Sequence, residues 1–293
     1  MFNSKKKILS AITNKEAGVV ASLLAKVKDT NETFRKPDNK DVEDWTLALH
    51  ACKYGNLEIV EMLLKNDSDL TITDSDGKSA LYWGACNDDE CEATDIVNRL
   101  IEESVDINKP ANDGRTALVG AVINGNLRAV EALLMVGADP NILMSDGRTS
   151  LHITAQQGDI ELLKAMLKAG ADPNIQENSN RNTPLHIAVG RRLESNKDKN
   201  DPVEAISELE KVKALLEGGA DPNIQNLEGM PLLMLAIAHG TAGDIELAKA
   251  LVGGGADVNK DTQTPDGNIV RPLDVAAGAA AELGEVGLQE IVE

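Results

Sequence analysis

The chain has 293 residues, with 29 Lys and Arg against 48 Asp and Glu, a formal charge of −19 at pH 7. Trp, Tyr and Phe occur twice each, 2% in all, so the interior must be packed from Leu, Ile, Val, Ala and Met. The charge argues against nucleic acid, which is bound by Lys and Arg neutralising phosphates, and against an anionic membrane surface; it favours solubility and a basic partner.

No apolar run reaches the ~20 residues of a membrane span. Lys5, Lys6 and Lys7 precede an apolar stretch, Ile8 to Ile12, too short and polar for a signal peptide. Cys52, Cys86 and Cys91 make no disulfide framework and fit a reducing compartment, so the expected location is cytoplasmic.

In chain order, Ile8 to Lys26 reads as a degenerate N-terminal helix pair, followed by a long connection from Asn31 to Asp44. From there three strings recur in phase. SDGKSAL (75–81), NDGRTAL (112–118), SDGRTSLH (145–152) and NRNTPLHIA (180–188) open units. YGNLEIVEMLL (54–64), NGNLRAVEALL (124–134) and QGDIELLKAML (157–167) sit in their middles. GADPN (137–141, 170–174, 219–223), GADVN (255–259) and the worn SVDIN (104–108) close them, with a step of 33 from Asn108 to Asn141 to Asn174. Full units start near 45, 78, 115, 148, 182 and 230, and a degenerate one near 270.

The residue types explain the pattern. Thr116, Thr149 and Thr183 stand where a helix N-cap belongs, with Pro184 at a first helical position. Gly55, Gly125 and Gly158 are expected to break the chain between two helices at positive φ. Ile59, Met62, Leu63 and Val130, Leu133, Leu134 give the second helix an apolar face. Gly137, Gly170, Gly219 and Gly255 are expected as left-handed C-caps, and the Asp-Gly pairs that follow as turns. No such unit can bury its apolar face alone, so units must stack.

These strings resemble the ankyrin repeat, with its TPLH helix start, central Gly and closing GADVN, over residues 44–293 well and 1–43 weakly. The resemblance implies an all-α solenoid of about eight helix-turn-helix units with β-hairpin fingers, in which 1–43 is a capping repeat with an extended finger and 44–293 one continuous domain. The repeat is interrupted near 87–95, 191–207, 239–243 and 261–270; the 191–207 insertion, being polar and holding a Pro, is expected to protrude as a loop.

No catalytic set emerges. His152 and His186 occupy the TPLH position, where the resemblance implies an imidazole bridging backbone groups of neighbouring loops; neither is paired by motif with a nucleophile or carboxylate. His50 and His239 are isolated. Cys86 and Cys91 lie in an acidic stretch without a second Cys or His pair at ligand spacing, so no metal site is expected. No glycine pattern forms a phosphate cradle, and no cofactor is expected.

The resemblance also implies a partner surface on the concave side, made of finger tips and first-helix ends. Carried over residue by residue, it falls on Trp45, Lys53 and Tyr54; on Ser75, Asp76, Lys78, Cys86 and Asn87; on Asn112, Arg115, Ile123 and Asn124; on Leu143, Ser145, Arg148, Gln156 and Gln157; and on Asn182, Gly190 and Arg191. All four Trp and Tyr residues fall between 45 and 83. Trp45 and Tyr54 land on exposed positions and are candidate anchors. Trp45 can equally cover the junction with the first helix pair. Tyr82 and Trp83 are expected to be packed inside. Ile142, Leu143 and Met144 make an apolar finger, a second candidate contact. Lys53, Lys78, Arg115, Arg148 and Arg191 form a basic row suited to an acidic ligand, at odds with the basic partner favoured by net charge.

The expectation is a monomeric, non-catalytic protein-binding module with no nucleic acid and no membrane insertion. Two alternatives stand beside it: an acidic inhibitor or immunity-type protein neutralising a basic target such as a nuclease, and a bacterial effector exported to bind a host protein.

Overall fold

The computed structural model describes residues 2–33, 45–157, 159–197, 202–239, 242–263 and 269–283. The chain divides into two compact units, Met1–Ser145 and Asp146–Glu293.

The first unit holds four helix pairs: α1 (Phe2–Thr13) with α2 (Ala17–Leu24), α3 (Leu47–Tyr54) with α4 (Leu57–Leu64), α5 (Ala80–Ala85) with α6 (Glu90–Glu102), and α7 (Ala117–Ile123) with α8 (Leu127–Met135). First helices pack on first helices, α1 on α3, α3 on α5 and α5 on α7, and second helices do the same. Leu47, Leu49, Leu81, Leu118, Ile59, Leu63, Ile96, Leu100 and Leu133 are essentially inaccessible to solvent in these layers. Polar side chains start each second helix: Asn56, Asp89 and Asn126 accept the N–H of Ile59, Glu92 and Ala129. Thr116 is the residue before α7 as expected, but its side chain caps no N–H; Thr46 and Ser79 do so for α3 and α5.

The second unit repeats the plan with α9 (Ser150–Gln157) and α10 (Ile160–Lys168), α11 (Pro184–Lys197) and α12 (Pro202–Glu217), α13 (Leu232–His239) and α14 (Ala242–Gly253), and closes on α15 (Pro272–Leu283). β1 (Thr262–Gln263) pairs antiparallel with β2 (Ile269–Val270) in the 261–270 insertion.

Four expectations are corrected. The 191–207 insertion is mostly helix, because Arg, Leu, Glu and Lys prolong α11 to Lys197 and Pro202 opens α12. Residues 90–95 of the 87–95 insertion are absorbed into α6, which runs 13 residues, while 87–89 form the connection before it. Gly55 has φ −85°, outside the left-handed region, and its lack of a Cβ is needed instead because one would lie 2.6 Å from the Ala51 carbonyl oxygen, whereas Gly125 is left-handed at 68°. The fingers before residues 80, 117, 150 and 184 are turns rather than hairpins. They are stapled to one another by backbone bonds, Asn112 N–H to the Asp76 carbonyl and Ser145 N–H to that of Asp113 in the first unit, and Asn178 N–H to that of Asp146 in the second. The left-handed residues at 137, 170, 219 and 255 are as expected, with φ of 91°, 87°, 91° and 93°. The 31–44 finger lies largely outside the described residues, as does Gly158.

Candidate functional site

Three first-helix ends in the first unit are brought together by side chains that reach back one repeat. The Asn87 amide donates to the carbonyls of Cys52 (3.0 Å) and Gly55 (3.2 Å). Asn124 in turn donates to the Asn87 carbonyl (3.2 Å). Lys53 Nζ donates to the Cys86 carbonyl and lies 2.6 Å from Asp88 Oδ1. Lys53–Tyr54, Cys86–Asn87 and Ile123–Asn124 thus form one edge.

An aromatic cluster lies beside that edge. The Trp45 and Trp83 ring centroids are 4.5 Å apart, Trp45 stacks on Tyr54 at 5.9 Å, and Tyr54 lies 4.9 Å from His50. His50 Nε2 is 3.0 Å from Thr13 Oγ1, which ties α3 to α1. Trp83 Nε1 donates to Asp74 Oδ2 (2.9 Å). Lys78 Nζ sits 5.1 Å from the Trp83 centroid and 5.7 Å from that of Tyr82, within cation–π range.

This geometry redistributes the predicted residues. Trp45 is 5% exposed, so it is a core residue, packed against Trp83 of the following repeat, rather than a surface anchor. Tyr82 is buried as expected, but Trp83 is only half-buried, as is Tyr54. Met144 is buried under Gly114, which leaves Leu143, 53% exposed, as the apolar tip of its finger. Asn112, Ile123 and Asn124 are exposed, as are Gln156 and Gln157 in the second unit.

The basic row is not a row of bare cations. Lys53 faces Asp88 (2.6 Å), Lys78 faces Asp76 (3.1 Å) and Arg115 faces Asp113 (3.4 Å). In the second unit Arg148 faces Asp146 (2.7 Å) and also donates to Gln156 Oε1, while Arg191 lies 3.9 Å from Glu208. Lys53, Lys78, Arg115 and Arg148 each have a carboxylate of their own, while Arg191 shares Glu208 with Lys211, so the row is largely compensated for an acidic ligand.

The histidines are structural. The Thr149 N–H donates to His152 Nδ1 (3.1 Å), which places the ring proton on Nε2, 3.2 Å from the Asn182 carbonyl it reaches in the next finger. The Thr183 N–H makes the same bond to His186 Nδ1 (3.2 Å). Burial lowers the pKa of both rings, that of His186 to about 4, against a weaker opposing pull from the Ile224 carbonyl. Burial also pushes the Cys52 thiol up to about 12 and the Cys86 thiol to about 11, the latter despite Lys53 nearby. Cys86 is buried and Cys91 exposed, and among the described residues no three His, Cys, Asp or Glu side chains gather in a metal-holding group.

Sequence reasoning missed a buried ionic cluster in the second unit. Lys211 is wholly inaccessible, its Nζ 2.6 Å from Glu208 Oε2 and 3.1 Å from the Ala155 carbonyl at the end of α9. Helical spacing alone places Lys211 beside the apolar Val212 and Leu215, and only the inward face of α12 reveals it. Its ammonium opposes the negative end of the α9 dipole, so it acts as a structural cap from another repeat.

Comparison with known proteins agrees with the architecture. A family model described as ankyrin repeats (3 copies) matches residues 8–110, 85–144 and 118–197, and one described as ankyrin repeat matches 180–227. The human BCL-6 corepressor-like protein 1 is 37% identical over 98 residues, 33% of this chain and 5% of that protein. Human inversin is 36% identical over 107 residues, 34% of this chain and 10% of that one. The palmitoyltransferase AKR1 of Lachancea kluyveri is 30% identical over 125 residues, 42% of this chain and 16% of that one. The matches thus span a small part of each of these relatives. The crystal structure of the ankyrin repeat domain of Bcl-3 superposes with a TM-score of 0.59 at 22% identity, covering 78% of this chain and 92% of that one. Among the described residues no helix is long and apolar enough to cross a membrane.

Proposed function

The chain belongs to the ankyrin-repeat family, whose repeats are protein–protein interaction modules, and from that premise we propose that it binds a partner protein through the first-helix edge and finger tips of its first unit. The observation that carries this reading is the juxtaposition of half-buried Tyr54 and Trp83 with exposed Ile123 and Asn124 on a surface held rigid by Asn87. Aromatic side chains that lose little freedom on binding are the usual centres of affinity, and the polar rim excludes water. Leu143 and Asn112 on the fingers extend the surface; Trp45 supports it from beneath. Gln156, Gln157 and Arg148 are the corresponding groups of the second unit. The chain acts by binding and not by turnover.

The pairing of Lys53, Lys78 and Arg115 with aspartates favours a second reading on the same protein. With these cations compensated, the −19 charge is the field a partner meets, and it steers a basic one.

The test is affinity capture from host lysate, followed by calorimetry on the captured partner with the wild type and with Tyr54→Ala/Ile123→Ala. The double variant is expected to keep its circular dichroism and a cooperative unfolding transition, with a lowered midpoint because Tyr54 leaves the Trp45 cluster, and to lose at least roughly tenfold in affinity at a temperature where it is fully folded. Full affinity in the variant would remove this edge from the interface. An association rate that falls steeply between low and high salt would add the basic-partner reading.

A further inference from the structure

Within each unit, the loops that follow successive second helices are tied together by an asparagine. The motif is Asp-x-Asn, in which the Asp accepts the N–H two residues on, as Asp29 does from Asn31 (2.8 Å) and Asp172 from Asn174 (2.9 Å). The Asn then reaches into the next loop, where its amide donates to the carbonyl of the left-handed residue and its oxygen accepts the N–H two residues further on. Asn31 does this to Asp67 and Asp69 (3.3 and 2.7 Å), and Asn108 to Gly137 and Asp139 (3.3 and 2.9 Å). In the second unit Asn174 does it to Gly219 and Asp221 (3.0 and 2.8 Å), and Asn223 to Gly255 and Asp257 (2.9 and 2.8 Å).

Between these stands one rung without an amide. The residue two after Asp69 is Thr71, and both its N–H and its hydroxyl turn back to Asp69 Oδ1 (2.8 and 2.7 Å). The groups it would reach are the Ser104 carbonyl and the Asp106 N–H, which have no partner among the described residues. The register is secure, because Ser104 is left-handed at φ 57°, like Asp67 at 58°. Lys109 Nζ also donates to the Thr71 carbonyl (3.0 Å), as Lys260 does to that of Asn223 (2.7 Å). An open cavity of about 660 Å³ lies at this place, with Leu64, Leu70 and Val105 as apolar walls and Ser68, Thr71 and Asp106 as polar ones. Ser68 replaces the buried alanine of other loops (Ala138, Ala171, Ala220), and its Oγ is enclosed with no partner among the described residues.

We propose that this cavity recognises a primary carboxamide, an Asn or Gln side chain carried on a peptide of a partner protein, whose NH₂ donates to the Ser104 carbonyl and whose oxygen accepts from the Asp106 N–H. The neighbouring rungs supply the template for that geometry. Other chemistries fail on donor and acceptor count. A carboxylate has no hydrogen for the Ser104 carbonyl, and the acidic side chains of the lining (Glu61, Asp67, Asp69, Glu103, Asp106) outnumber the basic ones (Lys65, Arg99, Lys109); an ammonium has no acceptor for the Asp106 N–H. A trans peptide unit carries both groups but points them in opposite directions. The cavity lies among second-helix ends and not at the aromatic edge, so this proposal and the one above stand or fall separately.

Backbone ¹⁵N NMR titration with N-acetyl-asparagine N-methylamide tests it, with N-acetyl-leucine N-methylamide and N-acetyl-aspartate N-methylamide, which carry no primary carboxamide, as comparison probes. The Asp106 amide is expected to shift saturably with the asparagine probe and to respond at least roughly fivefold more weakly to the other two. Thr71→Ala should retain the response. Thr71→Asn, which restores the rung, should abolish it and raise the thermal midpoint by about 2–4 °C. Absence of a shift in the wild type, an equal response to the leucine probe, or a response that persists in Thr71→Asn would each overturn the proposal.

Discussion

The two units share one plan and solve their interiors differently. The first contains all of the two Trp, two Tyr and two Phe of the chain; the second contains none. Where the first clusters Trp45, His50, Tyr54, Tyr82 and Trp83, the second buries aliphatic residues such as Leu185, Leu193, Val212 and Leu215 together with a Lys211–Glu208 pair. The repeat needs only an apolar face of the right volume, and it accepts aromatic rings or aliphatic chains with an internal charge pair. The rings bring something the aliphatic solution lacks, because Tyr54 and Trp83 reach the surface as rigid groups while staying anchored beneath.

Four experiments would break or sharpen that contrast. Lys211→Met should be the most damaging change in the second unit, lowering stability by about 3–5 kcal/mol, because Glu208 would remain buried without its ammonium. Lys211→Met/Glu208→Met should cost less than the single change, and urea titration followed by circular dichroism reads both. Equal losses would mean that the pair is not a unit.

Trp45→Ala should cost about 3–5 kcal/mol in the first unit, as a deeply buried indole is lost. Its readout is the fluorescence of Trp83, which reports that unit alone. A loss below 1 kcal/mol would return Trp45 to the surface.

Acid should weaken the second unit in two stages. His186 has a folded pKa of about 4 against about 6.5 unfolded, so the unfolded state binds more protons between these values. Stability therefore falls as pH drops from 6.5 to 4, by about 3 kcal/mol from this ring, and His186→Gln should flatten the slope. Burial would raise the Glu177 carboxyl, but bonds from the Ser179 hydroxyl and the N–H groups of Asn180, Ser179 and Asn182 outweigh it and hold the pKa at about 2. That contribution is present above about pH 4.5 and disappears as pH falls through 2. Urea midpoints at pH 7, 5, 4 and 2.5 check both stages.

Gly170→Val should have the smallest effect of the four, about 1–2 kcal/mol, from the left-handed backbone alone. No atom lies within 4 Å of a Cβ built there, and φ is 87°. An unchanged thermal midpoint would contradict the strain assigned to that cap.

Much of the scaffold could be read directly. The step of 33, the glycines at 137, 170, 219 and 255, and the histidine position are local or periodic features, and each appears where the strings put it. The site was less legible. Tyr54, Ile123 and Asn124 could be placed on an exposed edge by register, but Trp45 could not be separated from them, since its burial depends on the neighbours that cover it. The 191–197 segment read as a loop because polarity was weighed above helix propensity.

By itself the sequence determined the repeat, its helices and turns, and the face each helix turns inward, because these depend on spacing and on residues within one unit. Tertiary structure alone decided that Lys53 meets Asp88 of the next repeat, that Lys211 is sealed inside, and that Thr71 leaves the Ser104 carbonyl and the Asp106 N–H unbridged. Those outcomes rest on groups 30 or more residues apart meeting across neighbouring repeats, or on a rotamer choosing one bond over another, and no periodicity records either.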